Sequence, residues 1–479
     1  MNTILVVGGG NAGYISALML KQSFPNKNIG VVYSKKVGTI GVGESSSEHI
    51  ADFCDYCNIP KLSFILKAKA TFKKGIFFEN WAEEDFLHSI ETAFCKSRID
   101  RFLYYNQVVV NQRPNYELQE YWENNINLDL FGNYNETPTS QFHFDTQALN
   151  DFLKELCISR GIILLEDDIV DFSVDAETGR ILSANGSQNY PADFFIDCSG
   201  FSRLLVNKKL GVKWKSYSEY LPLNSAIAFS TDEMDEYNVY TKSTARDYGW
   251  SWEIPTQDRT GNGYVFCDRF INEDQAQQEM EKVYGHKIDV TKKFKFDPGR
   301  LEKAWYKNCY AVGLSHSFIE PLEATALGSA IQQMFAFIHM FPSNSVEECN
   351  EIVNDIFDNM FDFVQAHYLV KKEDTSFWKE VKYDLKIKPS LQKSLDKWKR
   401  RFPQTGDIIC RFGMFQAQNY INILYGLKWF DRDVMENEVN HFMPIDIFRH
   451  GEIKNISPTM GHKDFIKGVV KSALLNNRE

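Results

Sequence analysis

The opening stretch constrains this chain more than any other. An apolar run, Ile4-Leu5-Val6-Val7, feeds Gly8-Gly9-Gly10-Asn11-Ala12-Gly13, and Tyr14 to Leu20 then carries apolar residues at helical spacing. Ile29-Gly30-Val31-Val32-Tyr33 reads as a second strand. Strand, GxGxxG turn, helix and strand make a βαβ unit. Glycines at such a turn let the backbone approach a pyrophosphate, whose charge rests on unpaired N–H groups at the helix N-terminus. The pattern assigns dinucleotide binding to Gly8, Gly10, Asn11, Ala12 and Gly13 and predicts an α/β fold. An acidic residue ordinarily ends the second strand to hold a ribose, but Tyr33-Ser34-Lys35-Lys36 stands there, so other groups must hold it.

Composition narrows the class. At roughly 100–200 residues per domain, 479 residues make two or three coupled units. With 53 basic against 64 acidic residues the net charge is −11, which argues against nucleic acid or an anionic membrane as the main partner. No apolar stretch reaches about 18 residues, and no leader pattern precedes the first strand, so the expectation is a cytoplasmic protein without a membrane span. Nine cysteines fit reduced thiols. Cys54-Asp55-Tyr56-Cys57 has CxxC spacing, but no second pair follows, and no metal site is expected. The 37 phenylalanines suit first of all a core of large rings, the sharper alternative being a cavity lined for a flat substrate.

Between residues 100 and 300, short β-like runs such as Ile162–Leu165 and Phe194–Ile196 alternate with polar turns. After about residue 326 the texture becomes helical. Ser345-Val346-Glu347-Glu348 has the spacing of a capping box. Ile352, Val353, Ile356, Phe357, Met360, Phe361 and Val364 follow as an amphipathic stripe, which Pro342 separates from the apolar Ile331–Phe341 segment. The expected organisation is an α/β domain over residues 1–325, with a substrate region inserted in its middle, and a mainly helical cap over residues 326–479.

Trp250-Ser251-Trp252-Glu253-Ile254-Pro255 is the most specific string, and it resembles the WxWxIP signature of flavin-dependent halogenases of the tryptophan-halogenase family. Other blocks agree in family order. Gly8–Gly13 matches the first turn, and Thr39-Ile40-Gly41-Val42-Gly43-Glu44 the next flavin block, giving Gly43 and Glu44 as cofactor residues. Thr71-Phe72-Lys73 through Asn80-Trp81 looks like the lysine segment. His143-Phe144-Asp145 and Phe195 to Phe201 match two further blocks. Phe318-Ile319-Glu320-Pro321-Leu322-Glu323-Ala324-Thr325 resembles the glutamate block, and His367-Tyr368 with Asp374 to Trp378 a helical-region motif.

The resemblance implies a flavoprotein-monooxygenase-like fold: an FAD-binding Rossmann-like domain with a helical C-terminal substrate cap. It implies FADH2 from a separate reductase, O2 and halide as reactants, hypohalous acid as the oxidant, and a small electron-rich aromatic substrate. Lys73 aligns with the lysine that handles the oxidant, with Lys74 as the neighbouring alternative; burial would free its amine. Glu323 aligns with the glutamate that stabilises the ring cation and takes its proton. Thr325 and Ala326 would offer halide their backbone N–H groups, with Ala324 and Ala326 in place of the family's serine and glycine. Leu314 and Leu327 match positions that touch the flavin. Trp250 and Trp252 look like a wall between flavin and substrate. His88 falls at a ring-stacking position, but Ile90 replaces the phenylalanine that follows, and the paired tyrosines that grip free tryptophan are not found. The oligomeric state is open, a homodimer included.

Two other readings compete. An aromatic-ring monooxygenase on the same fold would need an aspartate where Gly313-Leu314-Ser315-His316 has Leu314. A flavin-binding protein without turnover would have no use for Lys73, Glu323 and both tryptophans together. No second GxGxxG serves a nicotinamide nucleotide, which again points to a separate reductase.

Overall fold

The structure is a computed structural model that describes residues 2–38, 45–89, 141–434, 437 and 461–476. Strand Thr3–Val7 sits inside a six-stranded sheet, paired in parallel with Asn28–Tyr33 on one side and Phe194–Asp197 on the other. Ile163–Glu166 extends the sheet beyond Asn28–Tyr33, while Cys309–Ala311 and the antiparallel edge strand Trp305–Tyr306 extend it the other way. Ile4, Leu5, Val6 and Val7 are all buried, the continuous apolar pattern of a strand covered on both faces. Helix Asn11–Ser23 follows directly, so the glycine-rich turn lies at the carboxyl end of a central parallel strand.

A seven-stranded sheet carries the tryptophan signature. Gly249–Pro255 lies between Thr260–Phe266 and Tyr240–Arg246, and the latter pairs with Gly75–Glu79, which leads to Phe86–Ser89. Just before Gly75, the strand Thr71–Lys73 pairs with Gln141–His143, with Lys73 opposite Gln141. The lysine strand thus leads into Gly75–Glu79, which Tyr240–Arg246 separates from the tryptophan strand Gly249–Pro255.

Helix Thr325–Met340 packs on both Asn11–Ser23 and Val346–Ala366. The stripe from Ile352 to Val364 is buried, and one continuous cluster of buried side chains runs from Ile4 through Trp250 to Phe363 and Leu424. The capping box expected at Ser345 does not form. Ser345 is the N-cap of Val346–Ala366, but its ψ of 68° turns it out of the extended conformation that capping uses, and its hydroxyl bonds Ser343 at 2.8 Å instead.

Cys54 and Cys57 are buried, and burial pushes both thiols up to about 12. Among the described residues no cluster of three or more His, Cys, Asp or Glu side chains could hold a metal, and no helix is long and apolar enough to cross a membrane.

Candidate active site

A cavity of about 680 Å³ opens at the glycine-rich turn, lined by Gly8, Gly10, Asn11 and Ala12 and, from the far side, by Leu314, Leu327 and Trp252. The turn's glycines do different work. Gly8 has φ +123°, and a Cβ there would fall 2.2 Å from the Cys198 carbonyl oxygen. A Cβ on Gly13 would fall 2.0 Å from the Gly8 carbonyl oxygen, so Gly13 serves helix-to-strand packing and does not line the cavity. A Cβ on Gly10 would meet nothing within 4 Å, which leaves the helix N-terminus open to a ligand. Asn150 steadies the turn, donating to the Gly9 carbonyl at 3.0 Å and to Asn11 Oδ1 at 2.9 Å.

No acid ends the second strand, but two carboxylates stand near its end in space. Asp167 and Asp168, just past the next strand, line the same cavity beside Tyr33 and Ser34. Asp168 accepts from the Ser34 hydroxyl and pairs with Lys36, whose hydrogen bond holds that carboxyl below its usual range. The residues present fit FAD: an open backbone cradle for a pyrophosphate, carboxylates for hydroxyls, and apolar walls for a ring system. Gly43 and Glu44 lie outside the described residues, as does Ile90.

The halide candidates sit at the start of helix Thr325–Met340. Ala324 reverses the chain with φ 54° and ψ 36°, and the helix begins at Thr325 with no acidic residue in its first turn. First-turn N–H groups have no intrahelical acceptor. Ala326 is exposed and lines the cavity, whereas Thr325 is buried.

The two tryptophans have separate surroundings. Trp252 borders the cavity; Trp250 does not, and its ring centre lies 6.0 Å from that of Trp252. Trp250 Nε1 donates to Glu320 Oε1 at 3.0 Å, and the Tyr368 hydroxyl donates to the same oxygen. Burial pushes the Glu320 carboxyl up to about 7 against those two bonds.

Lys73 and Glu323 are both 0% exposed, and neither lines the flavin cavity. Lys73 Nζ donates to the Ser46 carbonyl at 2.9 Å. Burial lowers its ammonium to about 8, with Glu323 and Glu48 pulling the other way, so its amine is freed at lower pH than that of an ordinary lysine. The neighbouring Lys74 is buried as well.

Glu323 is gripped from two sides. His88 Nδ1 lies 2.9 Å from Oε1 and 3.0 Å from Oε2, and His367 Nε2 lies 2.7 Å from Oε1. Burial pushes this carboxyl up, but the two histidines outweigh burial and hold it down to about 2. Asn419 Nδ2 reaches His88 Nε2 at 3.1 Å. The ring of Phe78 lies 5.2 Å from that of His367, and Phe363 lies 5.3 Å from His88. His88, expected beside the substrate, is thus bound to Glu323. The contacts of His367, Asn419, Glu320 and Asp168 were not foreseen. His367-Tyr368 belongs to a short sequence motif, and nothing in the sequence links it to Glu323.

The site thus combines a cavity at a dinucleotide-type turn with a buried lysine and carboxylate that do not line it. Comparison with known proteins gives the family. The tryptophan halogenase family model matches residues 3–440, and the chain belongs to that family. It is a flavin-dependent halogenase that uses FAD and halide. It is 28% identical over 467 residues to the 7-chloro-L-tryptophan 6-halogenase KtzR of Kutzneria sp. (strain 744), covering 88% of this chain and 90% of that one. It is 28% identical over 478 residues to the tryptophan 7-halogenase RebH of Lentzea aerocolonigenes, covering 89% of each. Among solved structures, Tar14, a tryptophan C-6 flavin-dependent halogenase (chlorinase) from taromycin biosynthesis, superposes with a TM-score of 0.85 at 26% identity, covering 98% of this chain and 100% of that one. BrvH, a flavin-dependent halogenase from Brevundimonas sp. BAL3, shares the fold with a TM-score of 0.80 at 24% identity, covering 98% and 99%.

Proposed function

We propose that the chain receives FADH2 from a separate flavin reductase, consumes O2 and a halide ion, and halogenates a small electron-rich arene through Lys73 and Glu323. Bound FADH2 with O2 and halide supplies hypohalous acid. This chain's residues do the rest. The N–H groups of Thr325 and Ala326 hold the halide beside the flavin cavity. Trp252 and Trp250 keep the substrate apart from the flavin. Lys73, with its ammonium lowered to about 8, holds the oxidant by donating a hydrogen bond or as a free amine. The Glu323 carboxylate faces the positive charge that develops on the ring and accepts the displaced proton.

The observation that carries this reading is the placement of Lys73 and Glu323. They interact electrostatically at full burial, and neither lines the flavin cavity, whereas Trp252 does. The described cysteines are free thiols, which supports a reducing, cytoplasmic setting. The division into a flavin domain (1–325) and a helical cap (326–479), and a homodimeric state, belong to the same proposal. The test supplies small phenols and indoles with chloride, bromide or iodide, FAD and a reductase, and follows products by mass spectrometry. Halogenated product that disappears in Lys73→Ala supports the reading. Hydroxylated product would make the chain a ring monooxygenase instead, and no FADH2-dependent product a flavin binder without turnover.

A further inference from the structure

Hydrogen-bond donors and acceptors around Glu323 fix where the protons sit. His367 Nδ1 lies 2.9 Å from the Phe363 carbonyl oxygen, an acceptor only, so Nδ1 carries a proton. His367 Nε2 faces the Glu323 carboxyl at 2.7 Å. A neutral ring with its proton on Nδ1 would turn a bare nitrogen toward a carboxylate, so the pair must hold one extra proton between them. His88 differs. Asn419 Oδ1 accepts from the Gln416 N–H at 2.7 Å, which orients the carboxamide so that its Nδ2 donates to His88 Nε2. His88 Nε2 is therefore an acceptor, and its one ring proton lies on Nδ1, shared between the two Glu323 oxygens.

We propose that His367 is a positioning residue that carries the extra proton as an imidazolium, pinning Oε1 of Glu323 and leaving Oε2 as the working oxygen of the carboxylate. Oε1 receives His367 and a share of His88; Oε2 receives a share of His88 alone. In the transfer step the ring carbon bonds the halogen as the halogen–oxygen bond breaks, and hydroxide leaves with that electron pair. The C–H pair then restores the aromatic ring, and its proton passes to Oε2. Lys73 also faces this carboxylate, Glu48 faces both Lys73 and His88, and Phe78 packs on His367 as a ring without charge. The assignment concerns the same glutamate as the functional reading, and rests on that reading only for the transfer step.

The test begins with histidine ring-nitrogen NMR on the full chain, the His367 signal being assigned by its loss in His367→Gln. At neutral pH the wild type should show both His367 nitrogens protonated, and Glu323→Gln should return the ring to one protonated and one bare nitrogen. A wild-type ring with a bare nitrogen, or an imidazolium that persists in Glu323→Gln, overturns the assignment. In turnover, His367→Gln and His367→Phe should move the acid limb of the halogenation pH profile upward by about one to three units, with FAD affinity unchanged. An acid limb unmoved in both variants, with only the amount of folded enzyme altered, makes His367 merely structural and overturns the proposal. A wild type that halogenates no arene would sink the functional reading, and the ring-nitrogen result would still decide the proton's place.

Discussion

Trp252 and Gly263 face each other across paired strands, and a Cβ on Gly263 would fall 2.0 Å from the Trp252 ring. The glycine is thus the floor on which the flavin-facing tryptophan lies, and backbone on the other side, the Ile227 carbonyl at 2.6 Å, leaves no room for it to yield. Gly263→Ala must displace the ring. The expected result is a protein that still binds FAD, is destabilised by about 1–3 kcal/mol, and forms less halogenated product per FADH2 oxidised. Melting curves and product-to-flavin ratios check this. Unchanged values for both would mean that Trp252 adjusts freely and does not serve as a wall.

Lys73 gives a prediction with a defined pH window. Its folded ammonium is lowered to about 8 from an ordinary 10.5, chiefly by burial. Between those values the unfolded chain binds more protons than the folded one, so this residue's contribution to stability rises with pH across that window. Below pH 8 the native state bears the full cost of the buried charge. Lys73→Met removes the cost and the activity together. Halogenation should be lost while FADH2 oxidation continues, and the variant should be more stable than wild type by roughly 1–3 kcal/mol near neutrality. That margin should shrink as pH rises toward 10.5. Product at the wild-type level would rule Lys73 out and turn attention to Lys74.

The glycines of the first turn should separate binding from folding. Gly10→Val places its side chain in open space at the cavity edge and should leave thermal stability nearly unchanged while abolishing FAD binding. Gly13→Val drives a Cβ onto the Gly8 carbonyl at 2.0 Å and should reduce soluble, folded protein. FAD titration and thermal melts, run side by side, make the comparison. Equal FAD affinity in Gly10→Val would mean that the dinucleotide does not approach the turn there.

These contrasts show what was legible from residue order alone. The βαβ unit was readable because its strand, turn and helix are contiguous, and each leaves a local periodic signal. Lys73, Glu323 and the tryptophans stand out as candidates because each sits in a distinctive short string. The partners of Glu323 do not. His88 and His367, and the Asn419 that holds His88, lie 235, 44 and 96 positions from Glu323 in sequence, on a strand, past a helix end and within another helix, and a single histidine or asparagine carries no local signature of its partner. The contact of Asp168 with Ser34 escaped for the same reason. Asp168 comes after a strand paired with Asn28–Tyr33 and so is adjacent to Ser34 only in the folded sheet. The capping box at Ser345 failed in the opposite direction: the pattern was present, but the tight turn after Pro342 gave the hydroxyl a nearer partner in Ser343.

Halide choice tests the helix start. Chloride, bromide and iodide are progressively easier to oxidise and to strip of water. A site that discriminates against this order must enclose the ion with several well-placed donors. Here the donors are first-turn N–H groups on a helix whose first turn carries no charged side chain, and Ala326 is exposed to the cavity rather than packed over. Its methyl group also occupies space that a glycine would leave. Such a site is permissive, so the intrinsic ease of oxidation should decide, and bromide or iodide should outcompete chloride on phenols or indoles. Competition at equal halide concentrations measures this directly. Ala326→Gly, by opening the backbone, should move the product ratio back toward chloride. A wild type that already prefers chloride would mean that the N–H groups of Thr325 and Ala326 close around the ion as a selective pocket.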